Sequence, residues 1–194
     1  MSQINNQEQS KKIQSNLSLI LEEHQQLFNK LDFSQISEVT KFLSNAERIF
    51  VCGAGRSGLA MRCAAMRLMH FGLNVFVVGE TTTPAIKAGD LLIAASGSGT
   101  TKSIVQAAEK AVNVGANVIS FSTTSNSPLA AFSQLVVIIP AAQKQDHEKT
   151  LSAQYAGSLF EQSLLLLTDA IFQTMWADTG VKAEELWERH ANLE

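Results

Sequence analysis

The chain predicts an α/β fold: a five-stranded parallel sheet, doubly wound in the flavodoxin-like manner, with extra helices at both ends. Three observations carry this. Five short, continuously apolar runs at residues 48–52, 74–78, 91–95, 117–121 and 135–139 alternate with helical stretches, as strands covered on both faces do. The first and third runs each pass into a glycine- and serine-rich turn that opens a helix, Cys52-Gly53-Ala54-Gly55-Arg56-Ser57-Gly58 and Ser96-Gly97-Ser98-Gly99-Thr100-Thr101-Lys102-Ser103. Right-handed crossovers favour the strand order 2-1-3-4-5, which makes strands 1 and 3 neighbours at the topological switch point. The two turns then flank one crevice.

In chain order, a polar tail leads into a long amphipathic helix with Ile13, Leu17, Ile20, Leu21, His24, Leu27, Phe28 and Leu31 at helical spacing. His24 lies on the apolar face and reads as packed. A second helix follows, with Ser34 as its N-cap and Ile36, Val39, Phe42 and Leu43 turned inward. These helices precede the first strand, as additions suited to subunit contacts. Residues 58–70 are helical and end at Gly72, a C′ glycine. The second strand runs into a hydroxyl-rich loop, Gly79-Glu80-Thr81-Thr82-Thr83-Pro84, and Gly89-Asp90 turns into the third. A helix over 101–114 stops at Gly115, and a loop over 122–128 leads into a short helix before the fifth strand. After a polar loop, Gln143-Lys144-Gln145-Asp146-His147-Glu148, one helix spans 151–178, broken by Gly180, and a last one spans 183–189.

The 194 residues form one domain, with N-terminal helices over 1–46, an alternating core over 48–140 and C-terminal helices over 151–194. The net charge of −3 argues against nucleic acid as a partner. No 18-residue apolar run is present, so no membrane span is expected. The opening residues lack the apolar stretch of a secretory leader, which points to the cytoplasm. Cys52 and Cys63 offer no disulfide or metal framework and read as small buried residues. Asp146, His147 and Glu148 read as a solvated loop, and no metal is expected.

Each glycine-rich turn presents backbone N–H groups at a helix N-terminus, where the macrodipole favours an anion, and adds hydroxyls that fit phosphate oxygens. The pair predicts one phosphate held by Ser57 from the first loop and by Ser96, Gly97, Ser98, Gly99, Thr100 and Thr101 from the second. Arg56 either adds charge there or faces solvent. Gly53-x-Gly55-x-x-Gly58 also fits a dinucleotide fingerprint, with Glu80, 22 residues beyond Gly58, as its ribose acid. Ser57 in the tight part of the turn, and a second hydroxyl cradle, weigh against that reading.

These features resemble the sugar isomerase (SIS) domain family and, within it, the 6-phospho-3-hexuloisomerases. The resemblance rests on Gly53-Ala54-Gly55-Arg56-Ser57-Gly58, the stretch from Met66 to Gly72, Val78 to Ile86, Ser96 to Thr101, Gly157-Ser158-Leu159-Phe160-Glu161-Gln162, and the terminal His190-Ala191-Asn192-Leu193-Glu194. The family commonly has Gln-Pro-Met/Leu-Gly where this chain has Gln154-Tyr155-Ala156-Gly157. The resemblance implies reversible conversion of hex-3-ulose 6-phosphate to fructose 6-phosphate through an enediol, in formaldehyde fixation by the ribulose monophosphate route, without a cofactor. Its neighbours in function are other aldose–ketose phosphate isomerases and non-catalytic phosphosugar sensors. It also implies a homo-oligomer, a tetramer built from dimers.

Glu161 matches the family's base. From the residues alone it is either an exposed helix glutamate or a partly buried base between Phe160 and an apolar stripe. His70 is either a helix-end histidine facing the dipole or an acid. It lies 13 residues after Ser57, about 20 Å along a helix, so as an acid it serves a neighbouring subunit's crevice. His190 is a second candidate on a tail with the same reach, or an ordinary surface histidine.

Overall fold

The computed structural model describes residues 6–143 and 152–193. Among them five parallel strands, β1 (Ile49–Gly53), β2 (Val75–Val77), β3 (Leu91–Ala95), β4 (Asn117–Ser122) and β5 (Leu135–Ile138), form a sheet in the order β2-β1-β3-β4-β5. This is the order expected. Seven helices accompany them: α1 (Asn6–Phe28), α2 (Phe33–Asn45), α3 (Gly55–His70), α4 (Lys102–Asn113), α5 (Pro128–Ala131), α6 (Ser158–Thr179) and α7 (Ala183–Trp187).

The two-residue period of a strand sends alternate side chains to opposite layers. Ile49, Val51, Leu91, Ile93, Ile119 and Phe121 pack with α2, α3 and α6 on one face, while Phe50, Cys52, Leu92, Ala94 and Val118 pack with α4 and Leu129 of α5 on the other. The register then places the site. Gly53, the last residue of β1, pairs with Ala95, the last of β3, so the two glycine-rich loops leave the sheet side by side at one level.

Several expectations are corrected. α3 begins at Gly55 rather than 58, which puts Ser57 inside its first turn. The N-cap of α2 is Asp32, not Ser34. Its carboxylate accepts from the Ser34 and Gln35 amides at 3.0 and 3.1 Å and from the Ser34 hydroxyl at 2.6 Å. A charged acceptor there suits the dipole as well as the orphan amides. α6 begins at Ser158, not 151. An apolar stripe sets a helix's inward face but not its start, and residues 152–157 are irregular, with Ala156 at φ 49°. Cys52 is buried as expected, but Cys63 is exposed, on the face of α3 opposite Ala60, Met61, Ala64 and Leu68. His24 is buried, as its position on the stripe requires, whereas Ile13, Leu17 and Leu21 of the same helix are exposed. The loop carrying Asp146, His147 and Glu148, together with Leu151 and Glu194, lies outside the described residues. Among those residues no helix is long and apolar enough to cross a membrane.

Candidate active site

Close packing of β1 on α3 forms the first wall. A Cβ placed on Gly58 would stand 2.6 Å from the Gly53 carbonyl oxygen, so both positions need glycine for the helix to start directly off the strand. The second wall is the loop after β3. The Gly97 carbonyl accepts from the Thr123 amide at 3.0 Å, the Thr123 hydroxyl at 2.8 Å and the Ser122 hydroxyl at 3.1 Å, which ties the loop to β4. Gly99 has φ 64°, and its Cβ would collide with Ser127.

Between the walls is a crevice of about 230 Å³ lined by Ser57, Ser96, Ser98, Thr101, Gln143 and Phe160, together with the backbone at Gly55, Gly97 and Gly157. Three helix N-termini meet there: α3, α4 and α6. Their N-cap positions, Ala54, Thr101 and Gly157, make no side-chain capping bond. By contrast, α2 and α5 are capped by Asp32 and Ser127. Uncapped first turns offer their amides and dipoles to whatever fills the crevice, and that combination selects an anion. The hydroxyls are preset, with Ser96 Oγ 3.0 Å from Thr101 Oγ1 and Ser98 Oγ 2.8 Å from Thr100 Oγ1.

Glu161 follows the lining residue Phe160 in the first turn of α6. It is 6% exposed. Arg56 Nε lies 3.2 Å from its Oε2, and Arg56 Nη1 donates to Ser158 Oγ at 3.3 Å. The first turns of α3 and α6 are thus joined by an ion pair beside the crevice, and the cation compensates the charge of a buried carboxylate.

Of the residues expected at the site, Ser57, Ser96, Gly97, Ser98 and Thr101 line the crevice. Gly99 and Thr100 shape the loop behind it, and the Gly99 carbonyl accepts from the Leu129 amide at 3.0 Å. Arg56 joins Glu161. Glu80 is not brought in; it pairs with Arg62 on the surface. His70 and His190 are brought to each other instead, at the far end of α3. Their rings stack with centroids 3.9 Å apart, and Arg189 Nη1 donates to the His70 carbonyl at 3.0 Å. His70 is buried, its Nδ1 has no hydrogen-bond partner among the described residues, and burial, with the His190 and Arg67 charges adding, pushes its pKa down.

Gln143 and Phe160 were missed as lining residues. Gln143 follows β5, at the C-terminal edge of the sheet where ligands of this fold class gather, and its Nε2 donates to Thr123 Oγ1 at 3.1 Å. Among the described residues no group of three or more His, Cys, Asp or Glu is placed to hold a metal ion.

A parallel sheet with an anion crevice between hydroxyl-bearing loops at its switch point defines a class of phosphate-ester-binding α/β proteins. Residues 42–165 match the SIS domain, and the chain belongs to the SIS domain family. It is 57% identical over 182 residues to the 3-hexulose-6-phosphate isomerase of Mycobacterium gastri, covering 94% of this chain and 92% of that one. With the enzyme of the same name from Bacillus subtilis it shares 38% over 161 residues, covering 82% and 87%. Its fold superposes on the crystal structure of a hypothetical protein from Methanococcus jannaschii with a TM-score of 0.80, at 30% identity, covering 93% and 99%. For that protein the structure was taken to infer a molecular function of 3-hexulose-6-phosphate isomerase.

Proposed function

We propose that this protein is a phosphosugar isomerase, a 3-hexulose-6-phosphate isomerase that interconverts hex-3-ulose 6-phosphate and fructose 6-phosphate. One observation carries the chemistry: the buried carboxylate of Glu161 directly follows the lining residue Phe160 and pairs with Arg56, which stands between the lining residues Gly55 and Ser57. The identity shared with the relatives named above supports the substrate.

In this reading the loops of Ser57 and of Ser96, Gly97, Ser98, Gly99, Thr100 and Thr101 hold the 6-phosphate. Glu161 removes the proton from C2, beside the C3 carbonyl. The electron pair moves into a C2–C3 double bond, and the C3 oxygen takes a proton from an acid, giving the enediol. The O2–H proton leaves as the C2 carbonyl forms, and C3 receives a proton from Glu161. Nothing is gained or lost overall, and no cofactor enters the balance. Arg56 keeps Glu161 aimed. The acid is the His70–His190 pair of a neighbouring subunit, since its own crevice is out of reach along α3. The assembly is a tetramer built from dimers, working in the cytoplasm on the ribulose monophosphate route. Residues 1–194 act as one SIS unit. A phosphosugar sensor needs the same loops but has no use for a buried carboxylate paired with Arg56 of the first loop.

The test is Glu161→Gln assayed against a panel of phosphosugars. The expected result is a kcat lower by on the order of 10²–10⁴-fold with KM retained, and deuterium from solvent at C3 of the fructose 6-phosphate formed by the unaltered enzyme. A fully active Glu161→Gln protein removes Glu161 from the chemistry.

A further inference from the structure

The first turn of α6 carries Phe160 and Glu161 and is preceded by six irregular residues, 152–157. That segment contains Ala156 at φ 49°, the sole non-glycine residue with positive φ among those described. A residue with a Cβ stays in the left-handed region only where its surroundings impose it. The backbone there is tethered to α1. Glu23 Oε2 accepts from the Ser152 hydroxyl at 2.7 Å and from Gln154 Nε2 at 2.9 Å, and Glu23 Oε1 accepts from the Ala153 amide at 2.6 Å. Ser152 Oγ in turn accepts from the Gln154 amide at 3.1 Å.

Past the turn the next residue of α1 takes over. His24 places its Nδ1 3.1 Å from Ser163 Oγ and its Nε2 3.1 Å from Gln162 Oε1. Glu161 therefore sits on a turn gripped before and after by two consecutive residues of one helix. That helix lies outside the residues that match the SIS domain.

We propose that Glu23 is a positioning residue for the isomerisation: three converging donors on its carboxylate fix the segment that delivers Glu161 to the crevice. This rests on the isomerase reading of Glu161. The phosphate loops hang from β1 and β3, whereas the bonds to the Glu23 carboxylate come from residues 152–154, so Glu23 governs turnover and not phosphate binding. Its chemistry suits the task. Burial by itself would raise the Glu23 carboxyl, yet the bonds from Gln154, Ser152 and Ala153, with the His24 charge, outweigh it and hold the group below the usual carboxylate range. A carboxylate accepts at both oxygens. A glutamine of the same shape accepts at one and sets an NH₂ against the remaining donors.

The experiment compares Glu23→Gln, Ser152→Ala and the double variant. Glu23→Gln is expected to lower kcat by about 10- to 100-fold, the cost of a small misplacement of a reacting group. KM and inhibition by inorganic phosphate should stay within about twofold. Amide exchange across residues 152–161 should rise by about tenfold or more while residues 53–58 and 96–101 keep their protection. The double variant should be no worse than Glu23→Gln, because both changes cut one tether. A lowered melting temperature with kcat unchanged, a parallel loss of phosphate binding, or fully additive effects would each overturn the assignment. If the unaltered protein fails to isomerise hex-3-ulose 6-phosphate, the isomerase reading falls, and the exchange pattern still judges the tether.

Discussion

Ser57 lines the crevice from the first turn of α3, beside the close contact of Gly53 with Gly58. It is 5% exposed, so its hydroxyl has little water to fall back on. If the phosphate lies where the loops direct it, Ser57→Ala and Ser98→Ala each remove a hydrogen bond to a charged group, which costs about 1.5–3 kcal/mol. KM should rise by about 10- to 100-fold with kcat largely kept. Steady-state kinetics on the phosphosugar read this directly, and an unchanged KM in both variants would move the phosphate elsewhere. At this scale the sequence was a good guide to the hydroxyl-bearing turns. It was a poor guide to Gln143, whose value lies in where β5 ends and not in any motif around it.

Among the elements, the entrances to β1 and β3 are joined by Arg48 and Asp90. Arg48 Nε and Nη2 donate to the Asp90 carboxylate at 2.9 and 2.6 Å, and the Lys87 amide donates at 2.7 Å. Asp90 is fully buried. Burial alone would raise its pKa, but the bonds from Arg48 and Lys87 and the two cations outweigh it and hold the carboxyl below its ordinary value. A pKa lowered by folding contributes stability that is present above the unfolded-state value and lost as pH falls through the folded one. Asp90→Asn leaves Arg48 without its counter-charge and should cost about 3–5 kcal/mol at neutral pH. Urea unfolding from pH 7 down to pH 3 should show the gap between the two proteins narrowing. A gap that stays constant over that range would assign the loss to packing. The same elements align Gly53 with Ala95, so a weakened β1–β3 pair also loosens the crevice.

On the scale of the whole molecule, α3 separates the groups that the proposed chemistry joins. Its N-terminus lines the crevice, while His70, at its other end, lies beneath His190. The exposed apolar residues Ile13, Leu17 and Leu21 of α1 and Phe33 of α2 are surfaces suited to a second copy of the chain, and symmetric pairing is the usual outcome for such faces. The proposed sharing of sites predicts complementation. Glu161→Gln and His70→Ala proteins, each inactive, should recover about one quarter of full activity after complete subunit exchange, the share of sites that random pairing leaves intact in a symmetric assembly. No recovery after proven exchange would place both groups within one chain or remove His70 from the reaction.

The strand order, the layers and the paired loops were legible in the sequence because each follows from local regularity. A two-residue or 3.6-residue period reports which face is buried, and glycine reports where backbone approaches backbone. His24 was legible as packed for the same reason. The start of α6, the cap at Asp32 and the meeting of His70 with His190 were decided by the tertiary structure. The Arg56–Glu161 pair and the Glu23 tether belong with them. Each depends on groups that folding brings together across a turn or across more than a hundred residues, and no periodicity records which donor will find which acceptor. The proposed phosphate cradle could be read along the chain because each of its two loops is a short continuous run. The placement of Glu161 could not, because it is set by α1, at the opposite end of the sequence.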